Sequence, residues 1–413
     1  LFECHNMLNK NRVNYFSDMK IVVAMDSMKG CLSSGDASGA LADGIRSVAP
    51  GAGVAAVAVA DGGEGTAAAL AAAKSEARML RSSVKGPDGG CVEAEWCLNP
   101  SDDTACIDMA AAAGLTLLPE ERRNPMYTTT YGVGQLIRAA AARGAGKVIL
   151  GLGGSATVDG GLGACQALGV RFYRRGHGSR ISRLITEPVT GNVLSEIDDI
   201  DTDGVGPGVK NIRILLACDV DAPFTGPSGA ACVFGPQKGA SPEEVSLLDQ
   251  GLENVRNIIK SKYGLDLNEV AGSGAAGGCA GGMVALLGAK IGNGAAIVLD
   301  SIGFDNVIEG ADLVLTGEGK SDRQTLMGKL PFEILKRGQR HGVPVCLVAG
   351  IIDDAMALRE AGYADIIDIN SGRIAMLSAT EGANPMSAAT AAKRLFFAGS
   401  EIFSNFARNF IKN

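Results

Sequence analysis

Short apolar runs recur along the chain, each closed by glycine and an acidic residue and followed by an alanine-rich stretch. MKIVVAM at 19–25 carries β-branched residues and leads into DSMKGCLSS, which predicts a strand, a loop and a helix capped near Ser33 or Ser34. VAAVAVADGGEGTAAALAAA at 54–73 repeats the order of strand, acidic glycine turn and helix, and KVILGLGGSATVDGGLGACQAL at 147–168 repeats it again. IRILLACDVDAPF at 212–224, DLVLTGEGKSDRQ at 312–324 and PVCLVAGIIDD at 344–354 read as further strands with acids at their C-terminal ends. Between Leu80 and Asp108 the texture changes: two or three strands are joined by the turns GPDGG and NPSDD, a hairpin pattern.

Alternating strands and helices predict an α/β fold built on a mainly parallel, doubly wound sheet of Rossmann or flavodoxin-like type. The hairpin region predicts a second α/β domain with a mixed sheet, inserted into the first. The expected division is a discontinuous first domain of 19–80 plus 290–413 and an inserted domain of 81–289. Residues 1–18 are expected to be an extension outside the fold.

Composition narrows the partners. A chain of 413 residues with 46% apolar and 20% charged residues can bury a large core in two or three domains. Its net charge of -7 argues against a nucleic-acid or anionic-membrane surface, since both reward a basic face. The ten cysteines form no C-x-x-C pair and mostly lie in apolar runs, which suits small buried hydrophobes in a reducing, cytoplasmic setting. Three scattered histidines (His5, His177 and His341) argue against a zinc site or a Ser-His-Asp triad. No uncharged apolar run approaches the roughly 18 residues of a membrane span.

The chemistry sits at predicted strand ends. Asp26, Asp61, Glu64, Asp159, Asp219, Asp221, Glu318 and Asp322 lie there beside glycines, where open parallel sheets bind ligands. Glycine lets backbone N–H groups reach phosphate oxygens, and acids tolerate a phosphate beside them when Mg²⁺ lies between. Taken singly, such acids also cap helices and fill turns. Bases share the placement: Lys29 in DSMKG, Lys238 in GPQKGA, and Lys320, Arg323 and Lys329 in GEGKSDRQTLMGK. GLGGSATVDGG at 151–161 contains G-x-G-x-x-A after a strand, but the GVRFYRRGHGSR that follows lacks the ribose-binding acid of a nicotinamide site. The loop is therefore read as an anion cradle with Ser155 and Thr157 as donors. No Walker A sequence occurs, so a nucleotide site here is not of P-loop type. ERRNPMYTTTYGVGQLI at 121–137 either caps a helix with its threonines or offers arginine and hydroxyl groups to a small hydroxy acid.

Taken together, DSMKG, VADGGEGT, RNPMYTTTYGVGQLI, LGLGGSATVDGG, ACDVDAPFTGPSGAACVFGPQKGA, GSGAAGG and TGEGKSDRQTLMGK resemble the type I (bacterial-type) glycerate kinase family, in order, from about Met19 to the C-terminus. The resemblance implies ATP-dependent phosphorylation of D-glycerate, usually to 2-phosphoglycerate, by two α/β domains. On that reading Asp219, Glu318 and Asp322 hold Mg²⁺ directly or through water, and Lys29, Lys238 and Lys329 neutralise the transferring group. Gly153, Gly154, Ser155 and Thr157 cradle phosphate, with Asp26, Ser27, Gly317 and Gly319 beside the nucleotide. Arg122, Asn124, Thr129 and Gln237 hold the substrate, and Asp61 or Asp159 accepts its hydroxyl proton. Attack by the 3-hydroxyl, giving 3-phosphoglycerate, and a non-catalytic sensor of nucleotide or organic acid are the alternatives. The expected partners are small molecules, with neither nucleic acid nor membrane, and a monomer or homodimer.

Overall fold

The computed structural model describes residues 18–28, 30–175, 182–378 and 387–410. Lys29 and residues 1–17 of the expected extension lie outside the described residues. The chain divides into two compact units, one combining 1–61 with 298–413 and the other spanning 62–297.

The first unit is built on a five-stranded parallel sheet in the order Asp365–Asp368, Val345–Ile352, Leu313–Ser321, Lys20–Met25, Gly53–Ala56. Ile21 to Met25 are all buried, which is why this strand reads as an unbroken apolar run. Helix Ser34–Val48 begins where Ser33 Oγ accepts the Asp36 N–H at 3.1 Å, and buries Ala37, Leu41 and Ile45, four residues apart, on one face. It crosses helix Ala388–Phe410 backbone to backbone. A Cβ on Gly44 would lie 1.9 Å from the Phe396 carbonyl oxygen, and one on Gly399 would lie 2.1 Å from that of Leu41, so only glycine fits either position.

Strand Leu313–Ser321 runs five residues beyond the apolar stretch that announced it, pairing to the end with Val345–Ile352. Gly317 lies inside the sheet, where a Cβ would sit 1.7 Å from the Val348 carbonyl oxygen. This glycine serves close strand packing, a role the sequence alone does not separate from ligand approach.

The second unit carries a six-stranded mixed sheet in the order Lys290–Asn293, Arg213–Cys218, Lys147–Gly151, Thr104–Asp108, Cys91–Asn99, Arg78–Lys85. Its first four strands are parallel, and the last two form the antiparallel hairpin. Residues 62–80 and 290–297, read from the sequence as part of the first domain, fall in this unit. Hydrogen bonds tie them there: Asp108, ending strand Thr104–Asp108, accepts the N–H groups of Gly65 at 2.9 Å and Ala67 at 3.2 Å and so anchors helix Thr66–Ala73. Strand Lys290–Asn293 in turn pairs with Arg213–Cys218. A small antiparallel sheet of Arg171–Arg175, Ser182–Leu184 and Ile197–Asp201 lies in the same unit. Helix Pro242–Tyr263 opens with a capping box in which Ser241 and Glu244 satisfy each other's backbone N–H. Among the described residues no helix is long and apolar enough to cross a membrane.

Candidate active site

In the second unit the loop 152–158 leaves the C-terminal end of strand Lys147–Gly151. Its Ala156 N–H donates to the Ala113 carbonyl at 2.8 Å, and its Gly154 carbonyl accepts the Leu115 N–H at 2.9 Å. Between these ties, the N–H groups of Gly153, Gly154 and Ser155 find no acceptor among the described residues. Gly154 lies at φ 71°, in the left-handed region that glycine adopts without strain. Successive unpaired N–H groups at a strand end form the concave donor set that binds anions. Neither predicted hydroxyl donor stands open at the loop surface. Ser155 Oγ accepts from Lys238 Nζ at 2.7 Å, and the Thr157 hydroxyl is fully buried without a partner among the described residues. The cradle is made of backbone.

Lys238 is only 2% exposed and also donates to the Thr157 carbonyl at 2.7 Å. Burial lowers its pKa to about 7, with the Asp159 carboxylate opposing the shift.

Asp159, read as a possible acceptor of the substrate's proton, is 0% exposed and already accepts four hydrogen bonds within the protein. Its Oδ2 accepts the Thr130 N–H and hydroxyl, both at 2.7 Å, and the Gly163 N–H at 3.3 Å, while Oδ1 accepts the Gly161 N–H at 3.0 Å. It joins the starts of helices Tyr131–Ala142 and Leu162–Ala167. Burial raises its pKa against those hydrogen bonds.

Two substrate candidates also have partners within the protein. Asn124 spends its amide on Glu244 Oε1 at 2.7 Å and its carbonyl on the Met126 N–H at 2.9 Å. Thr129 is buried and its hydroxyl accepts the Tyr131 N–H at 3.2 Å, so it serves the helix start. Arg122 pairs with Asp88 at 2.8 Å on the surface, and Gln237 is exposed. Asp219 is exposed and its Oδ1 accepts the Gly294 N–H at 3.0 Å, at the start of helix Gly294–Ile302.

Asp108 escaped the sequence reading, although TACID ends in an acid as the other strands do. Its pKa is raised to about 6, chiefly by burial, against the Gly65 and Ala67 N–H groups. A carboxyl raised from 3.8 contributes most to stability below that value and loses the contribution as pH rises through about 6. Asp108 should therefore add stability on acidification from pH 6 toward 4. Asp108→Asn is expected to remove that increment from urea midpoints measured across the interval; an unchanged slope would assign it to other groups.

In the first unit Asp26 is nearly buried; its N–H donates to the Gly317 carbonyl at 2.8 Å and its Oδ1 accepts the Ser27 N–H at 2.7 Å. Asp61 is partly exposed. Glu318 is 7% exposed, inside the strand rather than in a loop. Its Oε1 accepts the Thr325 hydroxyl at 2.6 Å and the Ser321 hydroxyl at 3.2 Å, and its Oε2 lies 3.7 Å from Lys329 Nζ. Burial raises its pKa, while Thr325 and Lys329 oppose the rise. Asp322 Oδ1 accepts the Gln324 N–H at 2.8 Å. Lys320 pairs with Asp353 at 2.8 Å and lies 3.6 Å from Asp322, and Arg323 pairs with Asp354. Much of the mixed charge in GEGKSDRQ is thus paired within the unit. Gly319 is exposed, with open space where a side chain would be. Among the described residues no cluster of three or more His, Cys, Asp or Glu stands ready to hold a metal ion.

Each α/β unit is built on a mainly parallel sheet with carboxylates near its strand ends, where open α/β sheets bind small molecules. Residues 21–396 match the model of the Glycerate kinase family. The chain is 41% identical to a glycerate kinase of Bacillus subtilis over 88% of its own length and 94% of that protein. It is 39% identical to the glycerate 2-kinase of Escherichia coli, over 85% of this chain and 90% of that one. A crystal structure from Salmonella typhimurium LT2, provisionally described as a glycerate kinase 2, superposes with a TM-score of 0.79 at 35% identity, over 95% of this chain and 99% of that one. The chain belongs to the glycerate kinase family.

Proposed function

We propose that this chain is a type I glycerate 2-kinase, which transfers the γ-phosphoryl group of ATP to the C2 hydroxyl of D-glycerate, giving 2-phosphoglycerate and ADP. The observation that carries this reading is the run of acceptor-free N–H groups at Gly153, Gly154 and Ser155. Two of the three residues are glycines, which supports the reading because neither has a side chain of its own to stand between its N–H and a phosphate oxygen. Phosphoryl transfer asks a protein mainly for positioning and for charge, not covalent chemistry. Glu318 and Asp322 offer hard carboxylate oxygens, the donor class Mg²⁺ takes, and an ion that keeps several waters needs few protein ligands. These two would hold Mg²⁺, whose charge favours transfer of the phosphoryl group. Lys329, half-exposed beside Glu318, adds a cation. Asp61, the other acid read from the sequence for this role, would take the hydroxyl proton as the glycerate oxygen bonds phosphorus and ADP departs. Arg122, with one of its five donors given to Asp88, is the candidate for the glycerate carboxylate.

An ADP-release assay with D-glycerate, ATP and Mg²⁺, followed by phosphorus NMR of the product, tests the proposal. ADP with a 2-phosphoglycerate resonance is expected. ADP with 3-phosphoglycerate would move the acceptor to the neighbouring hydroxyl, and no ADP with glycerate or tartronate would reject the kinase reading.

A further inference from the structure

The loop leaves three successive backbone N–H groups without an acceptor among the described residues, so those groups contribute no hydrogen bond to its shape. Something else must keep it open. Lys238 rises from the Pro236–Lys238 turn, and the next residue fixes that turn. Gly239 lies at φ 95°, and a Cβ there would be 2.1 Å from the Arg123 carbonyl oxygen. From this wedge the buried Nζ reaches Ser155 Oγ and the Thr157 carbonyl, both at 2.7 Å. Two acceptors need only the two N–H bonds that a neutral amine retains, so the tie survives loss of the third proton.

The same loop is braced by the GSGAAGG segment. Ala276, Gly277 and Gly278 all have positive φ, at 53°, 68° and 85°. A Cβ on Gly277 would lie 1.9 Å from the Thr157 carbonyl oxygen, the atom Lys238 binds. The Gly160 N–H donates to the Gly277 carbonyl at 3.1 Å. This left-handed run lets the segment press against the loop where any side chain would hold it off.

We propose that Lys238 is a positioning residue, which clamps residues 155–157 against the 276–278 brace and so presents the Gly153–Ser155 N–H groups to a phosphate without touching it. The proposal rests on the phosphotransferase reading of the loop. It revises the role the sequence suggested, that of a cation directly on the transferring group, because the ammonium is enclosed and two of its bonds are spent within the protein.

The test compares Lys238→Met, of similar length, Ser155→Ala and the double variant in the full chain. Lys238→Met is expected to lower kcat roughly tenfold with little change in KM for D-glycerate. Hydrogen exchange at the Ala156 and Gly160 amides should quicken by roughly tenfold. Ser155→Ala should quicken it less, and in the Lys238→Met background should cost less than about twofold further in kcat, since the two residues act as one contact. Unchanged exchange at these amides, or kcat losses that multiply in the double variant, would overturn the clamp. Should Lys238→Met fail to fold, exchange in Ser155→Ala decides, with unchanged rates counting against the proposal. Wild-type protein that releases no ADP would reject the kinase reading alone, since exchange tests the clamp without turnover.

Discussion

Glu318→Gln is expected to lower the rate of ADP formation roughly a hundredfold, the scale at which one preorganised charged contact to a transition state counts. The fold should tolerate it. Glutamine keeps an Oε1 able to accept the Thr325 and Ser321 hydroxyls, and burial already disfavours the charge that is removed. What is lost is one full negative charge and the pairing with Lys329 at 3.7 Å. Steady-state turnover at saturating ATP and glycerate, alongside a thermal melt, separates the two effects. Near-normal turnover would take Glu318 out of the mechanism, whereas a collapsed melting temperature would make it a structural acid.

Asp159→Ala is expected to act in the opposite way, with a loss of stability of about 3–5 kcal/mol, as when one partner of a buried charged network is removed. Truncation strands the Thr130 N–H and hydroxyl and the Gly161 and Gly163 N–H groups in a site that water does not reach. Each orphaned donor costs about 1–3 kcal/mol before the helices relax. Asp159→Asn, of the same volume, should recover part of the loss. Urea unfolding measures both, and turnover is then compared per folded molecule. Intact stability with turnover reduced by orders of magnitude would restore Asp159 as the proton acceptor.

These two carboxylates looked alike in the sequence, each a short acid beside glycine after an apolar run. Glu318 lies within its strand, whereas Asp159 lies beyond the loop that follows one, just before helix Leu162–Ala167. Their surroundings are not local. Asp159 is closed over by Thr130, 29 residues earlier, and Lys238 meets Ser155 across 83 residues. Asp108 was passed over for the same reason, since its burial and its hold on the Gly65 and Ala67 N–H groups depend on a helix more than forty positions upstream. Asn124 and Thr129 looked like substrate donors until their partners within the fold were known.

The order of strands and helices, the mixed sheet of the second unit, the Ser33 cap and the family resemblance follow from the sequence by itself, since each is written in neighbouring residues. Only the tertiary structure decided which polar groups are spent holding the protein together and which stay open to a ligand, because hydrogen-bond saturation and desolvation are set by residues that meet only once the chain has folded.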